Sequence, residues 1–168
     1  MEEPPGSKIV NYSYTDLYDF IEGATFLATG GGGPKDVAHY FLNESGVSQV
    51  NVISSPFVSD DMQIACAAEV FAPSAIEVKR DFLPALKSYE GLINPGSGKI
   101  TGVLPGEVGA INGIVPAIVA GLTGSYLIAD TQTDRATSEM DMGLFQNKVP
   151  YHYLNMLDDN GRSVFPKR

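Results

Sequence analysis

The four consecutive glycines Gly30 to Gly33, preceded by Thr29, are where backbone atoms themselves could do chemistry. Ordering glycine costs more conformational entropy than ordering any other residue, so packing alone is a weak reason for such a run. Glycine backbone approaches a ligand closely, and successive N–H groups form a concavity for an anion. Pro34 suits the first turn of a new helix, whose N-terminus adds positive potential. Thr29 and the four glycines are therefore read as a cradle for a carboxylate, a phosphate or a developing oxyanion. The competing reading is a hinge or tight inter-helix turn. Neither common nucleotide loop fits, because no Gly-Lys-Ser/Thr follows and the run does not follow a strand.

A second constellation is Gly106-Glu107-Val108-Gly109-Ala110-Ile111-Asn112-Gly113. A carboxylate stands at a strand-to-helix corner, five residues before a side-chain amide. Among small apolar neighbours such a carboxylate is costly to desolvate unless paired, which makes Glu107 a general-base candidate. The plainer alternative is an acid favouring a helix start beside a polar core Asn112. The third constellation, Asp130-Thr131-Gln132-Thr133-Asp134-Arg135, is dense in hydrogen-bonding groups directly after a strand-like run. Asp130 and Asp134 are candidate catalytic carboxylates, and Gln132 and Arg135 candidate substrate contacts, with Arg135 able to clamp a carboxylate. Asp134 and Arg135 read equally well as a surface ion pair. Glu77 lies on a helix-like stretch and is a further substrate-contact candidate. His39 and His152 are isolated from each other and from Cys66, so no metal site is expected. Cys66, within Ile64-Ala65-Cys66-Ala67-Ala68, reads as a small buried thiol.

Short elements must position these groups. Leu17, Phe20, Ile21, Ala24 and Leu27 recur at helical spacing after a Thr15 N-cap, and Val37, Ala38, Phe41 and Leu42 do so after Pro34. Strands are expected at Val50 to Ile53, within the apolar run Met62 to Val70, at Ile100 to Leu104 and at Tyr126 to Ala129. Helices are expected from Pro73, over Glu107 to Leu122 and over Arg135 to Gln146. Helices alternating with short apolar strands predict a layered α/β domain with a small, mostly parallel sheet flanked by helices. Residues 1–12 read as a loose arm and 13–168 as one domain.

Composition narrows the function classes. The chain has 168 residues, 43% of them hydrophobic, enough for one core. A net charge of -9 argues against nucleic-acid binding, which depends on neutralising phosphates. The longest apolar stretch, Ile111 to Leu122, is too short for a bilayer and is interrupted by Gly113, Pro116 and Gly121. The acidic start Met1-Glu2-Glu3 lacks an apolar run, and a single cysteine implies no disulfide, so a cytoplasmic location is expected.

The constellations in this order resemble the amino-terminal domain of the DUF917 family, also described as S-methyl-thiohydantoin desulfurase-like and associated with hydantoinase/oxoprolinase proteins. The matching pieces are Gly23-Ala24 leading into Leu27 to Gly33, Pro73-Ser74 followed by Glu77, Glu107 to Gly113, and Asp130 to Glu139 with Arg135-Ala136. Asp134 and Ser138 replace the glycine and proline usual around that arginine, and Gln132 or Thr131 falls where a second Asp is usual. The resemblance implies an α/β domain and chemistry on a small cyclic amide or related carbonyl compound. Relatives usually continue into a second domain, so a stand-alone version of the first is expected.

Three functions follow as expectations. The first is an enzyme acting on a small cyclic-amide or carbonyl substrate by acid/base chemistry, with no cofactor. The second is a non-catalytic binding or subunit domain completed by a separate partner chain; for partners, a small-molecule substrate and either a homo-oligomer or a partner subunit are expected. The third is a repurposed cyclase or isomerase of a specialised biosynthetic pathway.

Overall fold

The computed structural model describes residues 9–69, 99–131, 133, 136, 156–157 and 163–164. The stretches expected to be helical from Pro73 and over Arg135 to Gln146 lie outside them, Ala136 excepted, as do Glu77, Gln132, Asp134, Arg135 and His152. The described residues form a mixed α/β domain. Its five strands are β1 (Ile9–Ser13), β2 (Gln49–Ser54), β3 (Ile64–Ala67), β4 (Gly102–Pro105) and β5 (Tyr126–Ala129). Three helices accompany them, α1 (Tyr14–Ala28), α2 (Lys35–Ser45) and α3 (Ala110–Thr123). A short antiparallel pair, β6 (Met156–Leu157) with β7 (Ser163–Val164), stands apart from the main sheet.

The main sheet has the order β1-β2-β5-β4-β3. β2, β5, β4 and β3 run parallel, with Val52 beside Leu127, Val103 beside Leu127 and Cys66 beside Leu104. β1 is antiparallel to β2, with Tyr12 opposite Val50. Residues 9–12 thus belong to an edge strand, where the sequence reading placed a loose arm. Their mostly exposed, mixed polar and apolar pattern hides the strand, because a sheet edge needs no alternating buried face. Val52 with Ile53, and Leu127 with Ile128, are neighbours in sequence and all buried, so β2 and β5 are covered on both faces.

α1 is capped two residues earlier than its expected Thr15 cap. Ser13 is the N-cap, and Ser13 and Asp16 exchange hydrogen bonds in a capping box. The helix ends on Thr29 in the left-handed conformation. Its buried face is Leu17, Ile21, Ala24 and Ala28. Leu27, expected on that face, is instead 59% exposed, and Phe26 beside it is 81% exposed.

α3 organises the core. Every residue from Ala110 to Ala120 is buried, and all but Asn112 are apolar, so the helix is apolar nearly all round. The sheet covers one side and α1 and α2 cover the other. Small residues let these neighbours close in. A Cβ on Gly113 would lie 3.0 Å from the Phe20 ring, and one on Gly121 would lie 2.5 Å from Val47. Pro116 inside α3 has no N–H for the Asn112 carbonyl, an interruption that the surrounding layers tolerate.

Candidate functional site

Parallel strands gather their C-terminal ends along one sheet edge, the usual place for ligands in such sheets. β4 ends there at Pro105 and leads through Gly106, Glu107 and Val108 to α3, which starts without a side-chain cap. Gly32 supplies the cap: its carbonyl accepts from Ile111 N–H at 2.9 Å and from Asn112 N–H at 3.3 Å. Gly32 and Gly109 touch so closely that a Cβ on either would stand 2.5 Å from the other's Cα.

The glycine run thus has packing reasons that the sequence reading missed. Gly30, Gly32 and Gly33 all have positive φ. A Cβ on Gly31 would meet the Ala136 Cβ at 2.3 Å, and one on Gly33 would meet Ile111 Cδ1 at 2.5 Å. Toward α3 the run presents a carbonyl, not an amide. At α2 the first helical residue is Lys35, with Pro34 as the N-cap.

Asn112 is 5% exposed and has both ends of its amide engaged. Its Nδ2 donates to Glu107 Oε1 at 2.5 Å, and its Oδ1 accepts from the Glu69 backbone N–H at 2.7 Å. One buried side chain therefore holds the Glu107 carboxylate and ties the segment after β3 to α3. Glu69 is a site-edge residue that the sequence reading passed over. Its signal is an acid closing an apolar strand run, at the end of a parallel strand where ligands gather.

The segment after β5 completes the junction. Thr131 N–H donates to Asp130 Oδ1 at 2.8 Å, and Thr131 hydroxyl donates to the Thr133 carbonyl at 2.6 Å. Thr133 Oγ1 lies 3.5 Å from the Gly106 carbonyl, and Ala136 meets Gly31. Thr133 and Ala136 thus meet the segments that carry Glu107 and the glycine turn at one corner. A carboxylate fixed by an amide, close to a glycine turn, is equipped for proton transfer.

Other chemistry-bearing groups lie elsewhere. Glu22 on α1 accepts from Lys35 at 3.0 Å and pairs with His39 at 2.9 Å, while the His39 ring stacks on Tyr18 with centroids 3.9 Å apart. His39 is thus part of a clamp between α1 and α2. Cys66 is exposed on β3, not buried as expected, yet desolvation of its sulfur pushes the thiol up to about 11. Among the described residues no group of three or more His, Cys, Asp or Glu side chains is placed to hold a metal ion. No described helix is long and apolar enough to cross a membrane.

Residues 15–168 match the family model described as the S-Me-THD-like, N-terminal domain. The chain belongs to this family. Functionally curated proteins offer no match to this S-Me-THD-like domain. Among solved structures it is similar to a crystal structure of a protein from Chromobacterium violaceum, from the Northeast Structural Genomics Consortium. The TM-score is 0.73 at 22% identity, a likeness of fold, over 81% of this chain and 38% of that one. The S-Me-THD-like chain thus spans well under half the length of that relative.

Proposed function

We propose that this S-Me-THD-like domain is a small-molecule enzyme that acts on a cyclic amide or related carbonyl compound by acid/base chemistry. The observation that carries the reading is the Asn112 hydrogen bond to Glu107 at the corner where the glycine turn and the segment after β5 meet. Glu107 transfers the proton. Asn112 fixes Oε1 and so aims the whole carboxylate. Asp130 orients an N–H of the substrate, with Asp134, Gln132, Arg135 and Glu77 as further contacts. Backbone of Thr29 to Gly33 faces the polarised carbonyl. The chain's own carboxylates supply this chemistry without a cofactor, in the cytoplasm. The test is turnover of hydantoin and thiohydantoin probes by wild type and Glu107→Gln. The variant is expected to keep its fold and lose turnover, and unchanged turnover would remove Glu107 from the mechanism.

A second reading has its own observation. Phe26 and Leu27 are exposed side by side at the end of α1, next to the glycine turn. They suit a subunit domain completed by a second copy or a partner chain, since exposed apolar pairs of this kind favour burial. Light scattering of wild type against Phe26→Ser/Leu27→Ser tests self-association. A monomer in both cases excludes the second copy.

A further inference from the structure

A depression of about 260 Å³ opens at the C-terminal ends of β4 and β5, beside Val52 of β2. Tyr12, Phe20, Val52, Pro105 and Leu127 form its apolar lining, and Asp130 stands at its rim. Val52 and Leu127 are adjacent in register and belong to the buried core, so the floor is set by the sheet. Tyr12 and Phe20 pack against that core while staying partly exposed. Phe20 lies against Gly113 of α3, where a Cβ would come within 3.0 Å of the ring, so a side chain there would push Phe20 across the depression. Pro105 lies two residues before Glu107, which puts the depression beside the corner described above.

We propose that this depression is a binding pocket for the apolar ring or branched chain of a small ligand whose basic or N–H-bearing head pairs with Asp130. The size fits one side group, being slightly below the range of about 300–1,000 Å³ for whole drug-sized ligands. The walls offer an apolar group mostly carbon surface and ring faces. Among the described residues the one charged lining group is Asp130, whose carboxylate favours a cation or a neutral donor as the head. One of its carboxylate oxygens already accepts from Thr131 N–H, which fixes the group's orientation at the rim. The inference extends the reading of Asp130 as a substrate-orienting group. It makes the substrate class specific: a cyclic amide or amine carrying an apolar substituent.

Binding tests it without any turnover, so its failure is distinct from failure of the acid/base reading. Amide shifts of the full chain are followed by NMR during titration with benzylamine and, separately, phenylacetate. Benzylamine is expected to shift Phe20 and residues 127–131 in a saturable way and to bind at least about fivefold tighter than phenylacetate. Asp130→Asn, a change at an exposed position, is expected to remove that preference. Ala129→Trp at the exposed rim is expected to abolish saturation by crowding the mouth. Equal binding of both probes, shifts confined to other residues, or unchanged binding in Ala129→Trp would each overturn the proposal.

Discussion

Gly32 and Gly109 meet backbone to backbone, and the Gly32 carbonyl closes the first turn of α3. This contact locks the turn between α1 and α2 onto the corner that carries Glu107 and Asn112. Gly30 differs, since a Cβ there would meet nothing within 4 Å. Gly32→Ala combines a positive φ with a backbone clash and is expected to cost about 3 kcal/mol. Gly30→Ala incurs the φ penalty alone, about 1 kcal/mol. Urea unfolding of both variants measures the difference, and equal costs would contradict the packing account.

Asn112 is expected to be irreplaceable by a shape mimic. Asn112→Leu leaves the Glu69 N–H and the Glu107 carboxylate without this partner and is expected to cost about 2–3 kcal/mol. Asn112→Asp puts a second carboxylate at hydrogen-bonding distance from Glu107, so repulsion adds to the loss at pH 7 and is relieved as acid protonates one of them. The Asn112→Asp penalty is therefore expected to be larger at pH 7 than at pH 4.5 in chemical denaturation. A pH-independent penalty would show that Asn112 does not face an ionised Glu107.

The α1–α2 clamp gives a pH dependence of definite sign. His39 first, and Lys35 second, hold the Glu22 carboxyl below the usual carboxylate range. Its folded pKa is depressed, so its contribution is present above the unfolded value and is lost as pH falls through the folded value. Wild type is expected to be more stable than Glu22→Gln at pH 6, with the two converging near pH 3. Salt narrows the gap, because the group is at the surface. A gap that persists unchanged at low pH would contradict the clamp.

Cys66 is accessible in outline but weakly reactive. With the thiol pushed up to about 11, little thiolate exists at neutral pH. Alkylation at pH 7.5 is expected to be about a hundredfold slower than for an unperturbed cysteine. It should accelerate steadily as pH rises toward 10. Rapid labelling at pH 7.5 would contradict the desolvation of its sulfur.

Much of the fold was legible in the residues. The apolar spacing of Leu17, Ile21 and Ala24, the run at Val50 to Ile53 and the small apolar stretch after Glu107 each marked an element that the structure contains. The edge strand β1 was not legible, because its pairing is made by backbone groups and its side chains carry no buried pattern. Leu27 misled because helical spacing continues to the last turn of α1, past the point where covering neighbours end. The closeness of the segments after β4 and β5 follows from strand ends sharing one edge, whereas the glycine turn sits between two helices and its place there follows from no strand end. What no spacing carries is the Gly32 carbonyl capping α3 or the Asn112 bridge from Glu69 to Glu107. Both join segments far apart in sequence.

The most direct measurement is a crystal structure with hydantoin bound. The account predicts ligand density at the corner between Glu107, Asp130 and the Gly31–Gly33 turn, within about 3.2 Å of a Glu107 carboxylate oxygen. A second depression, of about 370 Å³, lies among Gly46–Val50 and Gly121–Ser125. Density there, with the Glu107 corner empty at saturating ligand, would contradict the account.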